Sequence, residues 1–249
     1  MTARSGEREA THAEREAGKR IVFPLDFDNP SEARDFAERL KGRVGIFKVG
    51  LELFVSAGPD VLQGVGAAGD VFLDLKFHDI PATVRGAARA AAALGVRFIS
   101  VHASGGLKML EAAVEGAGGR TEVLAITALT SLDSRDLTLL GLRDDLTDPG
   151  NLVLHRAAMA REAGCSGIVC SGKEVAVVRA EMGRHFVTLV PGVRPEWAEV
   201  PLDDQARVTT PAEAVAAGAD FVVVGRPIRL AGDPAEAALK TAKEIAKAL

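Results

Sequence analysis

The chain has little cysteine, no surplus of positive charge and no long apolar run, and each shortage removes a class of protein. Its two cysteines, Cys165 and Cys170, form no C-x-x-C pair and lie near no histidine cluster. Cys170 sits in the apolar run GIVC, which reads as a buried strand; two core thiols without a disulfide framework fit a reducing cytoplasm. A net charge of -4 argues against a nucleic-acid binder that works by neutralising phosphates, while leaving room for a local basic pocket that takes one phosphorylated ligand. No stretch approaches the roughly 18 apolar residues that a membrane span needs. Residues 1–20 are polar and charged and lack the apolar core of a secretory signal. Their segment EREATHAEREAGKR is rich in helix formers and fits either a surface helix or a disordered lead-in. No spacing of His, Asp and Glu resembles a metal site. The 249 residues suffice for one α/β barrel or two smaller domains. No Pro/Gly/Ser-rich linker or composition break divides them, so the sequence predicts a polar extension over 1–19 and one domain over 20–249.

What the chain does have is a regular alternation. Short β-branched runs occur at 21–27 (IVFPLDF), 45–50 (GIFKVG), 70–77 (DVFLDLKF) and 97–103 (RFISVHA). They continue at 122–129 (EVLAITAL), 167–172 (GIVCSG), 185–192 (HFVTLVPG) and 220–226 (DFVVVGR). Ala-rich helical stretches such as PATVRGAARAAAALG lie between them. Runs this apolar suit strands covered on both faces, as in parallel sheets. Eight strand–helix units in about 230 residues predict a single-domain α/β fold, the (β/α)8 TIM barrel, rather than a doubly wound sheet. The last helix opens well, with Asp233 as its cap and Pro234 at its first position. Pro24 breaks a local rule: inside a strand it cannot donate to the ladder and needs an irregular or unpaired position.

Barrel enzymes carry their sites at the C-terminal ends of the strands. Charge at those ends is therefore informative. The first strand ends at Asp26, the second carries Lys48, and the third runs into DLKFHDIP with Asp74, Lys76 and Asp79. Strand alternation places Asp74 and Lys76 on one face, toward the barrel mouth. Asp79 falls past the strand end, with Pro81 suited to the first turn of the next helix. One such Asp–Lys pair could equally be an ion pair bracing the barrel end; D-x-K-x-x-D backed by Asp26 and Lys48 on the preceding strands favours a site.

DLKFHDIPATV (74–84) resembles the signature of the orotidine 5'-phosphate decarboxylase family. Further similar blocks are LDF (25–27), FKVG (47–50), LTS (129–131), PGVRP (191–195), DDQARV (203–208) and VVGRPI (223–228), and the likeness covers 20–249. The resemblance implies a cytoplasmic, cofactor-free and metal-free enzyme of pyrimidine biosynthesis, a carboxy-lyase that turns orotidine 5'-monophosphate into UMP. It implies that Lys48, Asp74, Lys76 and Asp79 form the catalytic charge network. It also implies a homodimer in which Asp79 and Thr83 complete the neighbouring subunit's site. Asp26 and Lys48 would hold the ribose hydroxyls, and Thr130, beside Ser131, would meet the pyrimidine edge. Nucleic acid and membrane are not expected partners.

The chemistry supports these roles on its own terms. Loss of CO2 from C6 of a uracil ring leaves an in-plane lone pair that cannot delocalise into the π system, so preorganised charge must stabilise it. A Lys76 ammonium beside C6 supplies that charge and the replacing proton. Asp74 would repel the substrate carboxylate: two unit charges about 4 Å apart interact by roughly 4 kcal/mol at an effective dielectric of 20. A carboxylate can protonate or move instead, so the stabilising role of Lys76 carries more weight. At the phosphate end, Gly225 and Arg226 of GRPI follow the eighth strand and offer backbone and guanidinium donors. The long loop over 193–210, with Arg194 and Gln205, reads as a lid whose closure spends phosphate binding energy on the distant reacting centre.

His78 and His102 are secondary candidates, and His155 and His185 read as structural. The family usually has Asn where Ala82 stands and a small residue where Pro24 stands. Two rivals remain. A 3-keto-gulonate-6-phosphate decarboxylase or hexulose-phosphate synthase shares D-x-K-x-x-D but binds Mg2+, which Lys48 would repel. A phosphate-binding barrel without catalysis predicts an eroded charge network, and here all four charges are present.

Overall fold

The computed structural model describes residues 10–198 and 209–249. Eight parallel strands close into a barrel in sequence order: β1 Ile21–Pro24, β2 Ile46–Gly50, β3 Asp70–Phe77, β4 Phe98–His102, β5 Glu122–Ile126, β6 Gly167–Val169, β7 Val187–Val190 and β8 Phe221–Val223. Each lies inside the run expected for it, and helices fill the connections, which makes the fold a single-domain (β/α)8 barrel. The N-terminal segment, open between helix and lead-in, contains the helix His12–Gly18. A capping box between Thr11 and Glu14 starts it, Ala17 is fully buried, and it packs against the last helix, Pro234–Ala246.

Strand alternation divides the core in two. Val22, Ile46, Phe72, Phe98, Leu124, Ile126, Val169, Leu189 and Val223 point inward and plug the barrel. Their neighbours, among them Ile21, Phe23, Phe47, Val49, Leu73, Ile99 and Val190, point outward and pack under the helices. A plugged interior means that chemistry has room only at the ends. Below the plug, the Arg97 guanidinium lies over the rings of Phe98 and Phe221, at 4.8 and 5.2 Å, and bonds to Asp70 at 2.9 Å.

Local signals explain the helix starts. Pro30, Pro81, Pro149, Pro211 and Pro234 each open a helix, where a missing N–H costs nothing. The Asp233 carboxylate accepts from the N–H groups of Ala235 and Glu236, as its position predicts. Pro24, unexplained by sequence, is the last residue of β1. It still pairs with Lys48 of β2, but the ladder to β8 has already ended at Val22, so no bond to β8 is forfeited. Both cysteines are buried; burial pushes the Cys165 thiol up to about 12 and raises that of Cys170 as well, so neither is a ready thiolate.

One buried polar knot ties β7 to β8 at the bottom of the barrel. Arg179, only 15% exposed, bonds to Asp220 at 2.7 Å, to Thr188 Oγ1 at 2.9 Å and to the carbonyls of Gly183, Phe186 and Gly218. Removing one partner of such a pair strands the other. Arg179→Leu is expected to cost about 3 kcal/mol in urea unfolding while leaving the folded far-UV spectrum unchanged.

Candidate active site

The C-terminal ends of the strands surround a cavity of about 540 Å³. Its floor is the top of the apolar plug: Phe72, Ile126, Val169, Leu189 and Val223. One inward step up the strands, the residue type changes. Val22 gives way to Pro24, Ile46 to Lys48, Phe72 to Asp74 and Phe98 to Ser100. Asp26, Lys48, Asp74, Lys76, Thr130, Arg194, Gly225 and Arg226, all expected at the site, line this one cavity. Asp79 and Thr83 do not: both are exposed outside it, and Asp79 accepts a hydrogen bond from the Ile80 N–H at 2.6 Å. Gln205 and the block at 203–208 lie outside the described residues. Ser131 is exposed and is not part of the lining.

The charges form an alternating row. Lys48 Nζ lies 3.3 Å from Asp26 Oδ1 and 3.7 Å from Asp74 Oδ2, and Lys76 Nζ donates to Asp74 Oδ2 at 2.8 Å. Exposure falls inward along it, from 55% for the Asp26 side chain to 15% for Lys48 and 9% for Asp74. Burial alone would raise the Asp74 pKa; Lys48, Lys76 and the hydrogen bonds from Lys76 and Ser100 outweigh it, and the carboxyl is held below the ordinary aspartate value. Asp74 is therefore an anion at neutral pH.

Gly50 leaves room beside the pair of Lys48 and Asp26. A Cβ there would sit 3.1 Å from Lys48 Nζ and 3.6 Å from Asp26 Oδ1. Gly225 serves the opposite side, where a Cβ would come within 2.8 Å of the Pro24 ring. The proline thus packs under the turn that carries Arg226.

Alternation was expected to bring Asp74 and Lys76 together, and they do meet, by a different route. Lys76 has a left-handed backbone, φ 51°, at an irregularity between β3 and β4. Three further contributors carried no sequence signal. Ser100 is fully buried and donates to Asp74 at 2.8 Å. Arg229 lines the cavity, bonds to the Asp26 carbonyl at 2.5 Å and stacks on Phe27, tying the turn after β8 to the end of β1. Arg156 reaches the Thr127 carbonyl behind β5. A serine in an apolar strand, or an arginine one turn past GRP, could have been flagged only by knowing which strands are neighbours.

The rings of His102 and His78 meet at a tilt of 43° with centroids 5.3 Å apart. Burial and the charges of His78, Lys76 and Arg156 lower the His102 pKa, so that ring is neutral at pH 7 and a poor proton donor beside Lys76. His155 lies in the helix Pro149–Glu162 and His185 just before β7, away from the cavity. Val193 and Thr209 form an isolated parallel bridge, and the Arg194 N–H donates to the Thr209 carbonyl at 3.0 Å. Among the described residues no group of three or more His, Cys, Asp or Glu side chains is arranged to hold a metal ion, and no helix is long and apolar enough to cross a membrane.

Similarity to known proteins agrees with this geometry. The model of the orotidine 5'-phosphate decarboxylase / HUMPS family matches residues 19–241. An orotidine 5'-phosphate decarboxylase of Anaeromyxobacter dehalogenans is 53% identical over 221 residues, 88% of this chain and 95% of that protein. One from Halorhodospira halophila is 49% identical over 92% of this chain and 97% of its own length. The crystal structure of orotidine 5'-phosphate decarboxylase from Lactobacillus acidophilus superposes with a TM-score of 0.79 at 35% identity, covering 90% of this chain and 98% of that one.

Because the folded-state pKa of Asp74 is depressed, its ionised form stabilises the fold above the unfolded value of about 3.9, and that contribution is lost as pH falls through the lower folded value. Carboxyl-carbon NMR titration is expected to find Asp74 ionised below the ordinary aspartate range, and to find its midpoint raised in Lys48→Met.

Proposed function

The chain belongs to the orotidine 5'-phosphate decarboxylase / HUMPS family, and from that premise we propose how its site works. The reaction is the decarboxylation of orotidine 5'-monophosphate to UMP in pyrimidine biosynthesis. The observation that carries the mechanism is the row Asp26–Lys48–Asp74–Lys76, in which a buried anion is flanked by two ammonium groups. Substrate C6 sits against Lys76. As the bond from C6 to the carboxylate breaks, CO2 leaves and the electron pair stays in the ring plane at C6. The ammonium of Lys76 stabilises that charge and then gives it a proton, and Lys76 regains one from water. Nothing moves to meet the developing charge, because Asp74 already holds the ammonium in place. No cofactor is needed for this chemistry, and Asp74, the buried carboxylate of the row, is flanked by lysines on both sides.

The remaining roles divide by position. Asp26 and Lys48 take the ribose hydroxyls and Thr130 the pyrimidine edge. Arg194, Gly225 and Arg226 take the phosphate, and Gln205 is assigned to the same group. Phosphate binding energy gained there is spent at C6, on the far side of the cavity. The enzyme is a homodimer in which Asp79 and Thr83 act in the neighbouring subunit's site. Their exposure outside their own cavity supports this, as does Ile80 between them, an apolar side chain 66% exposed. Two buried thiols and the biosynthetic reaction favour the cytoplasm.

Two measurements test the reading. In EDTA, ultraviolet absorbance should show wild-type protein consuming orotidine 5'-monophosphate at an unchanged rate, with Lys76→Ala slower by at least about a thousandfold. No turnover by a folded wild-type protein would discard the mechanism. Mixing inactive Asp79→Ala with inactive Lys76→Ala should restore roughly a quarter of wild-type activity, since half of randomly assorted dimers carry one intact site. Confirmed subunit exchange without recovery would exclude the trans role of Asp79.

A further inference from the structure

Strands β3 and β4 lose register at one place. Leu73 pairs with Ile99 and Phe77 with Val101, so Asp74, Leu75 and Lys76 together face the single residue Ser100. Extra residues on one strand leave backbone groups outside the ladder. Here the side chain of Ser100 takes up the slack. Its Oγ accepts from the Lys76 N–H at 2.9 Å and donates to Asp74 Oδ1 at 2.8 Å. Ser100 is 0% exposed, and Lys76 is the one non-glycine residue among those described with a positive φ. A left-handed lysine persists only where its surroundings over-determine it.

We propose that Ser100 is a positioning residue of the decarboxylation, its one oxygen holding both the strained backbone of Lys76 and the carboxylate that aims the Lys76 ammonium. This rests on the assignment of Lys76 and Asp74 as the reacting charges. The task needs a group that accepts and donates at once; a hydroxyl does both and a methyl does neither. The charged groups facing Asp74 are Lys48 from β2 and Lys76 from β3 itself, with the titratable ring of His102 further along β4. Ser100 is the uncharged contact, so replacing it leaves the charge of the row intact while freeing its geometry. The phosphate and ribose groups stand on the ends of other strands. Loss of Ser100 therefore acts on kcat and spares KM.

The test is kcat, KM and the pH profile of kcat for wild type, Ser100→Ala and Ser100→Thr, with Lys76→Ala alongside. Ser100→Ala should lower kcat by roughly ten- to a hundredfold with KM within about threefold. Its acid limb should move to higher pH, because Asp74 has lost a donor to its charged form. Ser100→Thr, which keeps the hydroxyl, should recover most of kcat. Should Ser100→Ala fail to fold, Ser100→Cys keeps the volume with weak hydrogen bonding and is expected to show the same losses. A folded variant lacking the hydroxyl, with kcat within about twofold of wild type and an unmoved acid limb, overturns the proposal. So does a parallel worsening of kcat and KM with no movement of that limb. If that happens while Lys76→Ala is inactive, only the role of Ser100 falls; an active Lys76→Ala brings down the charge assignment as well.

Discussion

The burial of one ionised carboxylate organises this structure. Asp74 stands directly above an apolar plug, almost out of reach of water, where an unpaired anion would cost several kcal/mol. Lys48, Lys76 and Ser100 make that burial tolerable. Each of the three is itself constrained by the bond. Lys48 is held between two aspartates, Lys76 adopts a backbone conformation that lysine otherwise avoids, and Ser100 replaces a missing rung of the ladder. The members hold one another in place, which is what the proposed catalysis by preorganised charge asks for.

The barrel supplies the row through its layering. Inward side chains come every second residue, and the register sets Lys48 of β2 level with Phe72 of β3, one inward step below Asp74. Ile46 and Phe72 belong to the plug; two residues on, Lys48 and Asp74 belong to the cavity. A single step of alternation thus separates hydrocarbon from charge, and the hydrocarbon floor lowers the screening of the charges above it. Beside the first member of this row, the turn after β8 carries Gly225 and Arg226, and Arg229 from the same turn bonds to the carbonyl of Asp26. The turn after β8 and the first member of the charge row are therefore mechanically joined, as the proposed use of phosphate binding energy at the reacting carbon would require.

The chain itself determined a great deal. Eight apolar runs at barrel spacing, prolines at helix starts and charges grouped at strand ends each depend on neighbours only a few residues away, and such signals are readable in one dimension. Asp26, Lys48, Asp74, Lys76, Thr130, Arg194, Gly225 and Arg226 were legible for that reason, and the structure brings all of them to one cavity. Tertiary structure decided what depends on the neighbouring strand. Whether Pro24 is tolerable turns on where the ladder to β8 stops; whether Ser100 matters turns on the register between β3 and β4; and Arg229 joins residues about 200 positions apart. Alternation put Asp74 and Lys76 on one face, yet their actual contact comes from a bulge and a left-handed backbone that alternation does not contain. Local pattern names the groups that carry charge, but register across the sheet sets the distances between them, and those distances decide which groups act as a unit.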